Sequence, residues 1–113
     1  MSFSTSIRDV AGVTVVDLSG RITLGEASGK LRATVRSLLD SNVSKLVLNL
    51  AEVSYIDSSG LGELVSAYTT ARSKGCTVKL LHVQAKVQDL LTVTKLYTVF
   101  ESHTDEAAAV SSF

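Results

Sequence analysis

Lys45-Leu46-Val47-Leu48-Asn49-Leu50, followed after two residues by Val53-Ser54-Tyr55-Ile56-Asp57-Ser58-Ser59-Gly60-Leu61-Gly62, is the stretch that decides the fold of this 113-residue chain. The first run is short and nearly all apolar, as a central strand covered on both faces must be. Beyond the second run, Leu61, Leu64, Val65, Tyr68 and Ala71 recur at helical spacing. A buried strand that feeds an amphipathic helix through a turn of small polar residues is the repeating unit of an α/β sheet.

Outward from that unit the pattern repeats. Toward the N-terminus, Ser2 to Val10 reads as an edge strand and Ala11-Gly12 as the turn of a hairpin. Val13, Val15 and Leu18 belong to the return strand, which is expected to end at Ser19-Gly20. Thr23-Leu24-Gly25-Glu26 has the spacing of a capping box, with Thr23 as the cap. Leu24, Ala27, Leu31, Val35, Leu38 and Leu39 then fall on one helical face, and Asp40-Ser41-Asn42 closes the helix. Toward the C-terminus, Arg72 and Lys74 suit the end of a helix and Gly75 its left-handed cap. Thr77 to Val83 reads as a buried strand, Val87, Leu90, Leu91 and Leu96 as a third helix, and Thr98 to Phe100 as a short last strand. Thr104 is the expected N-cap of a fourth helix, with Asp105 and Glu106 in its first turn.

This order predicts an α/β fold: a mostly parallel mixed β-sheet with an N-terminal edge hairpin strand and about four helices. A chain of this length without proline, low-complexity segments or internal repeats is expected to form one domain over residues 1–113.

Composition removes several functions. Hydrophobic residues make up 45% of the chain, which is globular rather than disordered. Eleven Lys and Arg balance eleven Asp and Glu, with no basic stripe, so nucleic acid is not an expected partner. No apolar run approaches the ~20 residues that cross a bilayer. The N-terminus has neither a basic nor an apolar leader region, so no membrane association and a cytoplasmic location are expected. The single cysteine, Cys76, has no internal partner and is expected to pack as a small apolar residue. His82 and His103 are the only histidines and, with one cysteine, make no metal-ligand cluster; neither metal nor cofactor is implied.

Ligands of open parallel sheets bind at the carboxyl ends of strands, and here that rule selects Asp57-Ser58-Ser59-Gly60-Leu61-Gly62. Asp57, Ser58 and Ser59 can satisfy the orphan N–H groups of a helix start. Gly60 and Gly62 each cost a first turn up to about 1 kcal/mol against alanine, so a neighbouring helix, a partner protein or a phosphate is expected close to the backbone. Spacing alone leaves two readings open: a plain N-cap, or a serine that accepts a phosphate at the positive end of the helix dipole. A receiver domain would need an acidic pair after its first strand and a lysine after its last. A serine hydrolase would need G-x-S-x-G and a histidine base. The chain offers neither set, so it is not expected to be an enzyme, and no catalytic residue is assigned.

VSYIDSSGLGELV and the KLVLNL strand before it resemble the signature of the STAS domain family, and within it the bacterial anti-sigma factor antagonists. The element order matches that family from Ser2 to about Val110. The resemblance implies that Ser58 is phosphorylated by a partner that is both anti-sigma factor and serine kinase. The unphosphorylated form would bind that partner and free the sigma factor, phosphorylation would release it, and a PP2C-like phosphatase would reset the cycle. Asp57 would shape the loop, and Arg21, Thr23, Ser58, Ser59, Gly60, Leu61 and Gly62 would join it at the partner contact. One departure stands out: such antagonists commonly carry acids in a G-E-L-D-like string where this chain has Gly20-Arg21-Ile22-Thr23. The alternative implied by the resemblance is a scaffold or transport-associated module that binds partners without phosphorylation.

Overall fold

Alternating apolar strands and amphipathic helices assemble, in a computed structural model that describes residues 3–113, into the expected α/β architecture. The elements run β1 (Ser4–Val10), β2 (Val13–Ile22), α1 (Glu26–Asp40), β3 (Lys45–Ile56), α2 (Ser58–Ser73), β4 (Thr77–Leu81), α3 (Ala85–Val93), a single 3₁₀ turn (Leu96–Thr98), β5 (Ser102–His103) and α4 (Glu106–Ser111). Strands follow chain order across one sheet, with β1 antiparallel to β2 and every later pair parallel. Ala11 and Gly12 both have positive φ, 52° and 83°, the geometry of a two-residue hairpin turn that follows strand twist.

Pleating divides the core in two. Val16, Leu18 and Ile22 of β2, Leu46, Leu48, Leu50, Val53 and Ile56 of β3, and Val78 and Leu80 of β4 share a cluster with Ala27, Leu31, Val35 and Leu39 of α1, with Leu61, Leu64, Ala67 and Ala71 of α2, and with Val87 and Leu91 of α3. On the other face Val13, Val15, Val47 and Leu81 pack against Ala109 of α4. Cys76 is buried and its thiol pKa is pushed up by burial, as for a small apolar side chain. Helix α2 ends in a complete left-handed cap: Gly75 has φ 78°, its N–H reaches the Arg72 carbonyl at 3.2 Å, and the Cys76 N–H reaches the Ala71 carbonyl at 2.8 Å.

Several expected boundaries differ, each for a visible reason. Strand β2 does not stop at Ser19-Gly20 but runs to Ile22, and β3 continues past Leu50 to Ile56, because the two go on pairing with each other. Between Thr14↔Leu46 and Ile22↔Ile56, β3 takes ten steps to eight of β2, and the register shifts at Asp17/Ser19 and Gly20/Arg21 accommodate the excess. Strand β4 pairs only as far as Leu81↔Asn49, so the ends of β2 and β3 project beyond it as a two-stranded tongue. This extension consumes the residues expected to start α1. Thr23 is therefore not a cap: Gly25, at φ 105°, holds the N-cap position without a side-chain bond, and Leu24 lies exposed in the loop.

Near the C-terminus, α3 ends at Val93 and Leu96 begins the 3₁₀ turn, so Thr98 to Phe100 is not a strand. The last strand is Ser102–His103. Strand β4 ends at Leu81 rather than Val83, since His82 turns the chain at φ 55°. Asp105, not Thr104, caps α4, its carboxylate accepting from the Ala108 N–H at 2.9 Å. Ser2, expected in the edge strand, lies outside the described residues.

Ion pairs tie the layers together. Glu63 of α2, 10% exposed at its side chain, receives both Nε and Nη2 of Arg32 from α1 at 2.8 and 2.9 Å. On the opposite face Arg8 of β1 bridges Asp17 of β2 and Glu106 of α4 at 2.6 and 2.7 Å. Hydrogen bonds from Arg8 hold both carboxyls below their ordinary values of 3.8 and 4.5. Carboxyls with depressed folded-state pKa values stabilise the fold above their unfolded values and lose that contribution as pH falls through the folded ones. Arg8→Ala is therefore expected to lower stability to urea at about pH 6 more than at about pH 3. An equal loss at both pH values would mean that Arg8 acts through packing alone.

Candidate functional site

At the tip of the β2–β3 tongue the chain turns into α2 through Asp57. Its backbone is extended (φ −97°, ψ −178°) and its Oδ1 accepts from the Gly60 N–H at 2.8 Å, the N-cap geometry expected of an aspartate. The other carboxylate oxygen, Oδ2, accepts from the N–H of Leu24 at 3.1 Å and so reaches across to the β2–α1 loop. The Asp57 N–H donates to the Ile22 carbonyl at 3.2 Å. One residue thus joins the end of β2, the loop after it and the first turn of α2. The N–H of Gly60 first, and that of Leu24 second, hold the Asp57 carboxyl below the usual aspartate range.

Ser58 is the first helical residue and is exposed. Ser59 is half-buried, whereas Gly60 and Leu61 face inward, Leu61 at 6% exposure within the core. Gly62 is exposed on the helix surface. The two glycines therefore do different work. A Cβ on Gly60 would stand 2.1 Å from the Ile22 carbonyl oxygen and 2.8 Å from the side chains of Ile22 and Ile56. The close approach at Gly60 therefore comes from strand β2 within the fold, rather than from the helix, partner protein or phosphate expected there. A Cβ on Gly62 would meet nothing within 4 Å.

Arg21 and Thr23 stand beside this turn. Arg21 is exposed at the end of β2, and its guanidinium lies over the ring of its cross-strand neighbour Tyr55, 4.8 Å from the centroid. Thr23 is half-buried, and its carbonyl accepts from the hydroxyl and the N–H of Ser28 at 2.8 and 3.3 Å. The structure thus gathers Arg21, Thr23, Asp57, Ser58, Ser59 and Gly62 at one end of the sheet, and uses Gly60 and Leu61 to seat the helix there.

Three apolar side chains near the turn were not legible in the sequence. Leu24 is 78% exposed, Val93 80% and Tyr55 39%. Tyr55 and Val93 line a cleft with Ile56, Lys86, Asp89 and Leu90, between β3 and α3. The one sequence signal for it is Val93, a large apolar residue that ends a helix whose buried residues are Val87 and Leu91.

The fold is a mixed sheet with an edge hairpin, helices on both faces and an exposed serine opening the helix after its central strand. The chain belongs to the STAS domain family, whose match spans residues 4–109. It is similar to an anti-sigma F factor antagonist of Paenibacillus polymyxa, with 26% identity over 98% of this chain and 95% of the relative. Its fold superposes on an anti-sigma factor antagonist from Mycobacterium paratuberculosis with a TM-score of 0.83 and 22% identity, covering 97% of this chain and 92% of that one. It also superposes on the Bacillus cell fate determinant SpoIIAA in its phosphorylated form, with a TM-score of 0.73 and 18% identity over 96% and 98% of the two chains. Among the described residues no helix is long and apolar enough to cross a membrane.

The glycine geometry gives a paired expectation. Gly60→Ala should destabilise the fold by about 1–3 kcal/mol or more, because the new methyl must displace backbone. Gly62→Ala should be neutral or stabilise by up to about 1 kcal/mol through helix propensity. Thermal and urea unfolding of both variants would test this, and equal effects of the two would refute the packing account.

Proposed function

We propose that the chain is an anti-sigma factor antagonist that works by partner switching, with Ser58 as the phosphorylated residue. The observation that carries this reading is the exposed hydroxyl of Ser58 on the first residue of α2, beside an ionised N-cap carboxylate. Near full-length similarity to an anti-sigma F factor antagonist supports it. Unphosphorylated, the chain binds an anti-sigma factor that is also a serine kinase and frees the sigma factor. Phosphorylated, it lets the partner go, and a PP2C-like phosphatase restores the hydroxyl. The surface around Ser58, with Arg21, Thr23, Asp57, Ser59 and Gly62, forms the contact, while Gly60 and Leu61 fix its shape. The chain contributes only the hydroxyl; the kinase brings ATP and its metal ion, and the exchange takes place in the cytoplasm.

A phosphate adds roughly −1.5 to −2 charges and three acceptor oxygens to a patch that already holds the Asp57 carboxylate. Burying such a group at an interface without cationic partners costs several kcal/mol, and each ~1.4 kcal/mol is tenfold in affinity. A hundredfold loss of binding is therefore within reach of one modification.

A second reading, a constitutive scaffold, draws on Arg21 and Thr23, which stand where antagonists of this kind commonly carry acids. Incubation with an anti-sigma factor kinase and ATP, followed by phosphopeptide mapping, separates the two. Label is expected on Ser58 and is expected to vanish in Ser58→Ala; label persisting in that variant would overturn the assignment. Ser58→Asp is expected to weaken kinase binding at least tenfold in calorimetric titration, with little change in melting temperature. Unchanged affinity would favour the scaffold.

A further inference from the structure

Five of the eleven Lys and Arg side chains of this chain are arginines, and they are held in different ways. Arg8 and Arg32 are paired with carboxylates inside the fold. Arg21 has no ion pair or hydrogen bond among the described residues, yet it is not loose: its guanidinium lies 4.8 Å from the centroid of the Tyr55 ring. The pair forms a ridge at the tip of the β2–β3 tongue, one residue before the Ile22↔Ile56 pair on which α2 is seated. On one side of the ridge is the cleft of Phe3, Arg21, Thr23, Leu24, Glu26 and Ala27. On the other lies the cleft between β3 and α3, whose charged members are Lys86 and Asp89.

We propose that Arg21, held in place by Tyr55, is the residue that selects the partner, by receiving an acidic side chain of the partner beside the Ser58 contact. The inference rests on the partner-switching reading and adds to it the chemistry of the group the partner must present. A guanidinium stacked on a ring keeps its edge donors free in a planar fork that matches a carboxylate. Restriction by the ring also removes part of the ordering cost that a free arginine would incur on binding. Charges at the edge of an interface act chiefly on partner choice and association rate, and a like charge opposite Arg21 would exclude a mismatched partner. Glu26 lines the same cleft without pairing with Arg21, so the fork is not neutralised internally. Tyr55 is here a positioning residue.

The test uses the full chain and the purified anti-sigma factor kinase that labels Ser58. Arg21→Glu is expected to keep its melting temperature and to lose roughly tenfold to a hundredfold in affinity. Its loss should shrink as salt is raised. Acidic residues on the kinase surface are then changed one at a time to lysine. One such variant should restore binding to Arg21→Glu while weakening binding to the unaltered chain. Tyr55→Leu should weaken binding by a smaller factor and shift the Arg21 Nε–H resonance, a signature that lost apolar area alone would not give. Unaltered affinity of Arg21→Glu, or the failure of every acid-to-lysine variant to rescue it, would overturn the inference while leaving the switch intact. If no anti-sigma factor kinase labels Ser58, the switch and this inference fall together.

Discussion

The carbonyl of Ile22 is the point on which the site depends. It accepts the N–H of Asp57 at 3.2 Å and lies where any Cβ on Gly60 would be driven to 2.1 Å. Helix α2 can start where it does only because its third residue has no side chain. With the helix seated, the Asp57 carboxylate falls between the Gly60 and Leu24 N–H groups and ties the β2–α1 loop to the helix. The placement of Ser58 follows: of the two residues between the cap and the seated glycine it is the exposed one, while Ser59 is half-buried.

A display of this kind needs a platform that does not move, and the core supplies one. Leu64, Leu80, Leu91 and the inward residues of β3 are fully enclosed beneath the helices. The Arg32–Glu63 pair fixes α1 against α2 one turn beyond Gly60. Because Glu63 is nearly buried, removing Arg32 would leave a desolvated carboxylate, which costs more than an exposed pair gains. The opposite face is closed separately, by the short helix α4 and the Arg8 network. Lys79 supports that closure: its ammonium is bound to the Ser112 carbonyl at 2.9 Å and pairs with Glu101 at 2.8 Å.

Most of this architecture was legible because burial and periodicity agree in the central elements. KLVLNL, the α1 stripe through Leu31, Val35 and Leu39, and the Gly75 cap each follow from one local rule. The errors fall where a long-range contact overrides a local signal. Thr23 has capping-box spacing with Glu26, but extended pairing of β2 with β3 carries the chain past it. Thr98 to Phe100 has strand-like composition, yet the Leu96 turn precedes it and Phe100 buries against Tyr68 at an edge-to-face 5.4 Å. At the site, the importance of Gly60 was readable, but its partner was not. A glycine that admits the end of a strand and one that admits a ligand look alike until the strand is placed. Leu24 is the opposite case: its apolar character suited a helix face, and the structure leaves it in solvent.

The same geometry bears on how a phosphate on Ser58 would act. A helix N-terminus ordinarily welcomes an anion, since its first N–H groups lack partners. Here the Gly60 N–H is already taken by Asp57, whose depressed pKa reflects that bond. A phosphate on the neighbouring residue would compete with a carboxylate already in place, and the two negative groups would repel. The modification would then keep its charge outward, toward the surface that a partner must cover. Such a switch would require no rearrangement of the fold: the cap that orders the helix already occupies the Gly60 N–H, and the added charge would face the surface that a partner must cover.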